Sequence, residues 1–351
     1  MILKATSIMF ASELSVTLVL FFRNILVARL ISVEDFGIAS TFAVPFAVIE
    51  TLGNMALNKL IIQDPRGEDP VFCGTLHSVQ LIRGAIGAAA TLAVAYPYAH
   101  FMQTPDIVWA YQCLALIPLA LGFLNLDIYR VQRQMDFMPY AIAMVVSPVA
   151  SLAVILVVWT VSPDYRTMLW GIIAQQVLQV VLSHVLAKRR FGLAWNRDHL
   201  RRAMQFGRPL LLNGLAFLVI TNGERLIVGN QTDLTVLAWF STAFLLATAP
   251  TRIVINTSMG LFLPKLSARQ EDGPGFAGLT LLSVELNLWL GAMAMAGIAV
   301  FGPALILGLF GERYAPGMGV LALSFGAGLA MPRIRRDGLA LLGQRFARKP
   351  G

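Results

Sequence analysis

The sequence predicts an all-α, polytopic integral membrane protein of about ten transmembrane helices in two pseudo-repeated lobes, six helices and then four. Three observations predict it. Of the 351 residues, 57% are hydrophobic and 13% charged, where soluble domains carry about 25% charged residues. Apolar runs of about 20 residues, long enough to cross the hydrocarbon core, recur along the whole length. Lysine and arginine are gathered into alternate loops between those runs. No long polar stretch could fold as a separate soluble domain.

The spans are expected at 8–31, 37–57, 71–98, 107–126, 139–161, 168–187, 209–229, 236–263, 277–301 and 315–332. The third and eighth are long enough to tilt or run into the interface, and the tenth is glycine-rich. Connections are short and carry turn residues, as in "QDPRGEDP" (63–70) and "EDGPG" (271–275). Lys4, the loops after even-numbered spans and the C-terminal tail hold 20 of the 27 basic residues, and the loops after odd-numbered spans hold two, Arg166 and Arg313. The positive-inside rule then places both termini in the cytoplasm. The organisation expected is a six-helix lobe (1–187), a basic cytoplasmic connection (188–208), an incomplete second lobe (209–332) and a basic tail (333–351). The connection, "KRRFGLAWNRDHLRRAMQFGR", reads as an amphipathic helix on the inner surface, with anionic membrane lipids as its partner.

Several function classes are excluded. The net charge of +8 comes from the loop lysines and arginines, so nucleic acid is not a partner. Cys73 and Cys113 lie at or in spans and read as packing residues. The four histidines are scattered without ligand spacing, so no metal and no cofactor is expected. Glu13 interrupts the first apolar run and no small-x-small site follows, which argues against a cleavable signal. The outer loops are short and hold no acid/base cluster, so the chain does not read as an enzyme.

The two lobes resemble each other. "RNILVARLISVEDFGIAS" (23–40) lies on "ERLIVGNQTDLTVLAWFS" (224–241) at an offset of 201, and internal repeats are a common plan of secondary transporters. Residue 351 then falls opposite residue 150, inside the fifth span. Either the chain lacks about two helices of a symmetric pair, or it is a shortened variant.

Five arginines fall inside spans: Arg23, Arg29, Arg83, Arg225 and Arg252. A mid-span arginine costs about 2.5–3.5 kcal/mol on insertion scales. Ser241, Thr248, Arg252 and Asn256 share one face of span 8, with Pro250 in the same helix. Such a stripe suggests a water-filled cavity. Glu13, Thr17 and Asn24 form a second stripe in span 1, with Arg23 beside it. Glu50 and Asn54 stand at i, i+4 in span 2, and Glu224 lies in span 7. The substrate-binding candidates are therefore Arg23, Asn24, Arg252, Asn256, Glu13, Glu50 and Glu224. The alternative is an intramembrane ion pair that only holds helices together. Arg29 stands near a span end and is read as snorkelling. Arg83, Arg225 and Glu285 are read first as structural. The planar guanidinium fork matches phosphate, so a lipid-linked diphosphate is a natural ligand.

The landmarks "VARLISVEDFG" (27–37), "VIETLGNMALNKLIIQ" (48–63), "RQMDF" (133–137), "QFGRPLL" (205–211), "ERLIVG" (224–229) and "FLPKLSARQED" (262–272) occur in an order that resembles the polysaccharide biosynthesis proteins of flippase type. These belong with O-antigen and lipid II flippases and with multidrug extruders. The resemblance covers nearly the whole chain. It implies two six-helix lobes around a cationic cavity, in a bacterial inner membrane, and alternating-access transfer of a polyprenyl-diphosphate-linked oligosaccharide from inner to outer leaflet. Glycan polymerases or glycosyltransferases would be neighbours. It also implies a cavity arginine at Arg23; Arg252 aligns less clearly. Asn54 and Glu224 stand where many relatives carry aspartate. A drug or cation antiporter of the same fold, and a truncated inactive relative, are the alternatives.

Overall fold

The structure, a computed structural model, describes residues 2–53, 57–267 and 273–319. Among them there is no β-strand. The helices are α1 (Ile2–Leu30), α2 (Val33–Thr41), α3 (Ala43–Gly53), α4 (Leu57–Gln63), α5 (Pro70–Phe101), α6 (Val108–Cys113), α7 (Leu116–Gly122), α8 (Asp127–Arg130), α9 (Met138–Val161), α10 (Arg166–Val185), α11 (Arg197–Gln231), α12 (Leu234–Ser267) and α13 (Gly273–Phe310). Spans pass through α1, α5, the α6–α7 pair, α9, α10 and α13 by length and composition, and through α11 if its two halves count as one. Large apolar side chains such as Ile86, Val94, Val157, Trp289 and Met293 are exposed, as lipid-facing surfaces require. The expected tenth span lies mostly outside the described residues.

The chain divides into two compact units, Met1–Ala238 and Trp239–Gly351. In the first, the turn between spans 1 and 2 is set by Ser32. Its Oγ accepts the Asp35 N–H at 3.0 Å, and its hydroxyl donates to the Asp35 carboxylate at 2.5 Å, a helix N-cap. Trp159 Nε1 donates to the Leu30 carbonyl at 2.9 Å and closes the end of α1. Gly37 then packs where a Cβ would lie 2.0 Å from the Leu234 carbonyl oxygen. No side chain fits there, which accounts for glycine in "VEDFG".

Span 2 is broken between α2 and α3. Pro45 has no N–H to offer the Thr41 carbonyl four residues back. That carbonyl accepts instead from the Tyr98 hydroxyl at 2.8 Å. Thr41 Oγ1 and Tyr111 Oη lie 2.7 Å apart, and Tyr111 Oη lies 3.0 Å from Thr104 Oγ1. A freed backbone group inside a membrane needs such a partner. Gln80, buried on α5, does the same for α7: its Nε2 donates to the carbonyls of Leu121 and Leu124 at 2.9 and 2.8 Å.

The connection departs from expectation. Residues 188–196 are not helical, and residues 197–208 are the opening turns of α11, which runs on into span 7. Asn196 sets the boundary. Its backbone is extended, and its Oδ1 accepts the N–H groups of Asp198 and His199. α11 bends by 42° near residue 220. There Thr221 and Asn222 donate back to the carbonyls of Phe217 and Leu218, a recognised cause of helix bending.

In the second unit, Trp239 Nε1 donates to the Arg313 carbonyl at 3.0 Å. Tyr314, fully buried, packs against Phe310 with ring centres 5.8 Å apart.

Candidate functional site

Arg23 is placed by α1, a helix without proline or glycine. Its Nη1 donates to Oε1 of Gln175 on α10 at 2.5 Å. Glu50, on α3, acts on it electrostatically. Its Nε is shielded from solvent and has no hydrogen-bond partner. Two helices, α1 and α10, meet at this guanidinium, the charge of Glu50 on α3 acts on it, and one donor is left unused. An arginine in that condition can take an anionic oxygen without first breaking a strong ion pair.

The other candidates are distributed. Asn24 is next in sequence to Arg23 and donates to the Leu20 carbonyl at 2.7 Å, so its Nδ2 is engaged with its own helix. Glu13 lies ten residues back, about 15 Å along the axis, and accepts the Tyr140 hydroxyl at 3.0 Å. It belongs to an α1–α9 contact, apart from Arg23. Glu50 and Glu224 are exposed. Arg252 and Asn256 lie in α12, and their side chains, like Asn54, fall outside the described residues. Of their stripe, Ser241 is buried with Oγ unpartnered, and Thr248 donates to the Phe244 carbonyl at 2.7 Å. Gln175 is the residue that sequence reasoning missed. The signal was present in "AQQVLQ" (174–179), three glutamines within one apolar span.

A second cluster holds the basic connection. Asp127 and Arg130 are both buried and paired at 2.6 Å, and Arg130 also reaches Glu68 at 2.7 Å. Asp127 Oδ2 accepts the backbone N–H groups of Lys188 and Arg189 at 2.7 and 3.0 Å. Lys188 pairs with Asp136 at 2.8 Å, Arg189 with Glu68 at 3.1 Å, and Arg202 with the buried Asp64. Arg133 donates to three carbonyls at the end of α4, those of Ile61, Ile62 and Asp64. His77 accepts the Leu126 N–H on Nε2 and donates from Nδ1 to the Gly192 carbonyl; Phe191 stacks on its ring at 4.3 Å. Burial opposes ionisation of Asp64, but the Arg66 N–H and the Arg202 guanidinium outweigh it and hold the carboxyl below the ordinary range. The Lys188 hydrogen bond does the same for Asp136.

Comparison with known proteins identifies the family. Residues 26–318 match the family model described as "Polysaccharide biosynthesis protein". Over 312 residues the chain is 23% identical to the succinoglycan biosynthesis transport protein ExoT of Rhizobium meliloti (strain 1021), covering 86% of this chain and 61% of that protein. It is 16% identical over 315 residues to an uncharacterized membrane protein in the cps region of Klebsiella pneumoniae, covering 89% of this chain and 65% of that one. The chain therefore spans about three fifths to two thirds of the length of these curated relatives. Among solved structures, the inward-facing conformation of a multidrug resistance MATE family transporter of the MOP superfamily superposes with a TM-score of 0.69. The identity is 15%, over 88% of this chain and 76% of that one, and the likeness is one of fold. The chain belongs to the polysaccharide biosynthesis protein family, as a multi-pass membrane protein folded like a MATE-type transporter.

Proposed function

We propose that this chain is a flippase that moves an anionic, polyprenyl-diphosphate-linked oligosaccharide from the cytoplasmic to the outer leaflet by alternating access through a cationic central cavity. The observation that carries the reading is Arg23, an intramembrane guanidinium held by a neutral glutamine and keeping Nε unused. A diphosphate oxygen is the complementary acceptor. The family match supports a glycan as cargo, and the name of the Rhizobium relative supports transport. Arg252, in α12, is the second cationic candidate; Asn24 follows Arg23 in sequence and Asn256 lies four residues after Arg252, as the neutral candidates. Glu13, Glu50 and Glu224 would tune the charge of the route. Arg190, Arg197, Arg201 and Arg208 are exposed on the connection and would meet anionic lipid heads. Polymerases or glycosyltransferases of the same glycan would be its neighbours.

The test is export of the glycan in cells that depend on the full-length protein. Arg23→Ala and Arg252→Ala should each abolish surface glycan while the protein level stays unchanged. Normal export in both variants would sink the cationic route. Orientation is tested separately: a reporter at residue 195 should be cytoplasmic and one at residue 164 external, and the reverse pattern would invert the direction proposed.

A further inference from the structure

Arg83 stands apart from the site above. It lies on α5 and makes no hydrogen bond or ion pair among the described residues; burial alone acts on its charge. It opens into an apolar cavity of about 230 Å³ in the first unit, walled by α3, α5 and α7. Along α5 the wall runs from Arg83 through Gly87 and Val94 to Tyr98, one helical face fifteen residue steps, and so about 22 Å, long. Pro45, whose missing N–H breaks span 2, forms part of the facing wall at α3, and Pro118 that at α7. Gly84 and Gly87 let α7 lie against α5: a Cβ on Gly84 would stand 2.6 Å from the Pro118 carbonyl oxygen. Along α5 the slot is open to the outside at Ala90 and Val94, which are exposed.

The depth of Arg83 can be read from α5 itself. Ser78 donates to the Ala194 carbonyl at 2.7 Å, so the polar connection lies against α5 at that level. Arg83 is five residues further on, about 7.5 Å of axial rise. That is near the headgroup boundary on the connection side, within reach of a long basic side chain. A slot with a free guanidinium at the boundary and largely apolar walls beyond, whose polar side chains are two tyrosines and Thr91, the last bonded to the Gly87 carbonyl, matches a phosphate followed by a hydrocarbon chain. Its length exceeds one leaflet of the hydrocarbon core, about 15 Å.

We infer that this slot binds an anionic glycerophospholipid of the leaflet on the connection side. The phosphate sits on Arg83, one acyl chain lies along α5 between α3 and α7, and the second chain stays in the bilayer at the open side beside Ala90. A single slot with an open flank fits a two-chain lipid of which one chain is held. The inference is independent of the transported substrate, and its test does not read export.

The test uses the full-length chain, stripped in detergent and given dipalmitoyl phosphatidylglycerol, with bound lipid counted by native mass spectrometry. One lipid per chain should be retained. Arg83→Gln should weaken it by about tenfold or more, the loss of a charge-assisted pair. Ala90→Trp, which fills the slot from its exposed flank and leaves Arg83 in place, should weaken it comparably. Dipalmitoylglycerol, with the same chains and no phosphate, should bind at least tenfold more weakly. Equal retention by Arg83→Gln, or equal binding of dipalmitoylglycerol, would overturn phosphate recognition and leave Arg83 a snorkelling residue. Tighter binding of a polyprenyl monophosphate, displacing phosphatidylglycerol at equal concentration, would overturn the glycerophospholipid and make the slot a seat for the glycan carrier.

Discussion

Arg23 and Gln175 are joined by one hydrogen bond of 2.5 Å between α1 and α10, 152 positions apart in sequence. A neutral acceptor satisfies part of the guanidinium and leaves its charge uncompensated by that contact. Burying a cation beside an amide is less favourable for stability than pairing it with a carboxylate. The arrangement makes sense where the second partner arrives as a ligand.

Replacing that acceptor by an acid tests the idea. Gln175→Glu should form an internal ion pair with Arg23 and compete with any incoming anion, so glycan export should fall about as far as in Arg23→Ala. Arg23→Lys keeps the charge but loses the planar fork, and should retain roughly a tenth of export. Full export by Gln175→Glu, at matched protein level, would show that Arg23 serves packing alone.

The connection gives a structural prediction. Asp127 accepts two consecutive backbone N–H groups and the Arg130 guanidinium while almost fully buried. Asp127→Asn removes the charge and leaves Arg130 to a half-exposed Glu68. Breaking a buried pair in this way costs about 3 kcal/mol. Faster tryptic cleavage at Lys188 to Arg190 and a lower unfolding temperature are expected. Cleavage at the wild-type rate would mean that the connection is held elsewhere.

Much of this fold was legible because apolar length and basic loops are averages over many residues. The landmark segments were legible for another reason. "VARLISVEDFG" encodes a capped turn and the Gly37 contact, and "RQMDF" supplies Arg133 to the end of α4 and Asp136 to Lys188. These are backbone constraints that tolerate few residue types. The helical part of the connection was read too long at its start, because Lys188 and Arg189 pair with acids distant in sequence and Asn196 starts the helix late. The site was only half legible. Arg23 was conspicuous as a charge in a span, but its partner Gln175 is one of three glutamines in its stretch. Which of them faces α1 depends on how α10 is rotated, a tertiary fact. Glu13 shares a stripe with Asn24 by helical spacing, yet stands about 15 Å below Arg23, because a common face does not imply a common depth.

The pairs that hold the connection also predict a pH response. Asp64 and Asp136 have carboxyls held below the ordinary range. A group depressed in the folded state contributes stability that is complete above its unfolded value, about 3.9 for aspartate, and is lost as pH falls through the folded value. The contribution of Asp64, buried beside Arg202, should exceed that of Asp136, whose pairing with Lys188 is partly exposed and screened. Hydrogen exchange over residues 186–204, corrected for the intrinsic rate, should therefore stay constant from neutral pH to about 4 and rise below it. Asp64→Asn should give the faster exchange already at neutral pH, because a buried acceptor then faces Arg202 without its charge, a loss of about 1–3 kcal/mol. Onset well above the carboxylate range would instead assign the release to His77, whose Nε2 must stay unprotonated to accept the Leu126 N–H. Constant exchange down to pH 3 would mean that neither carboxylate holds the connection in place.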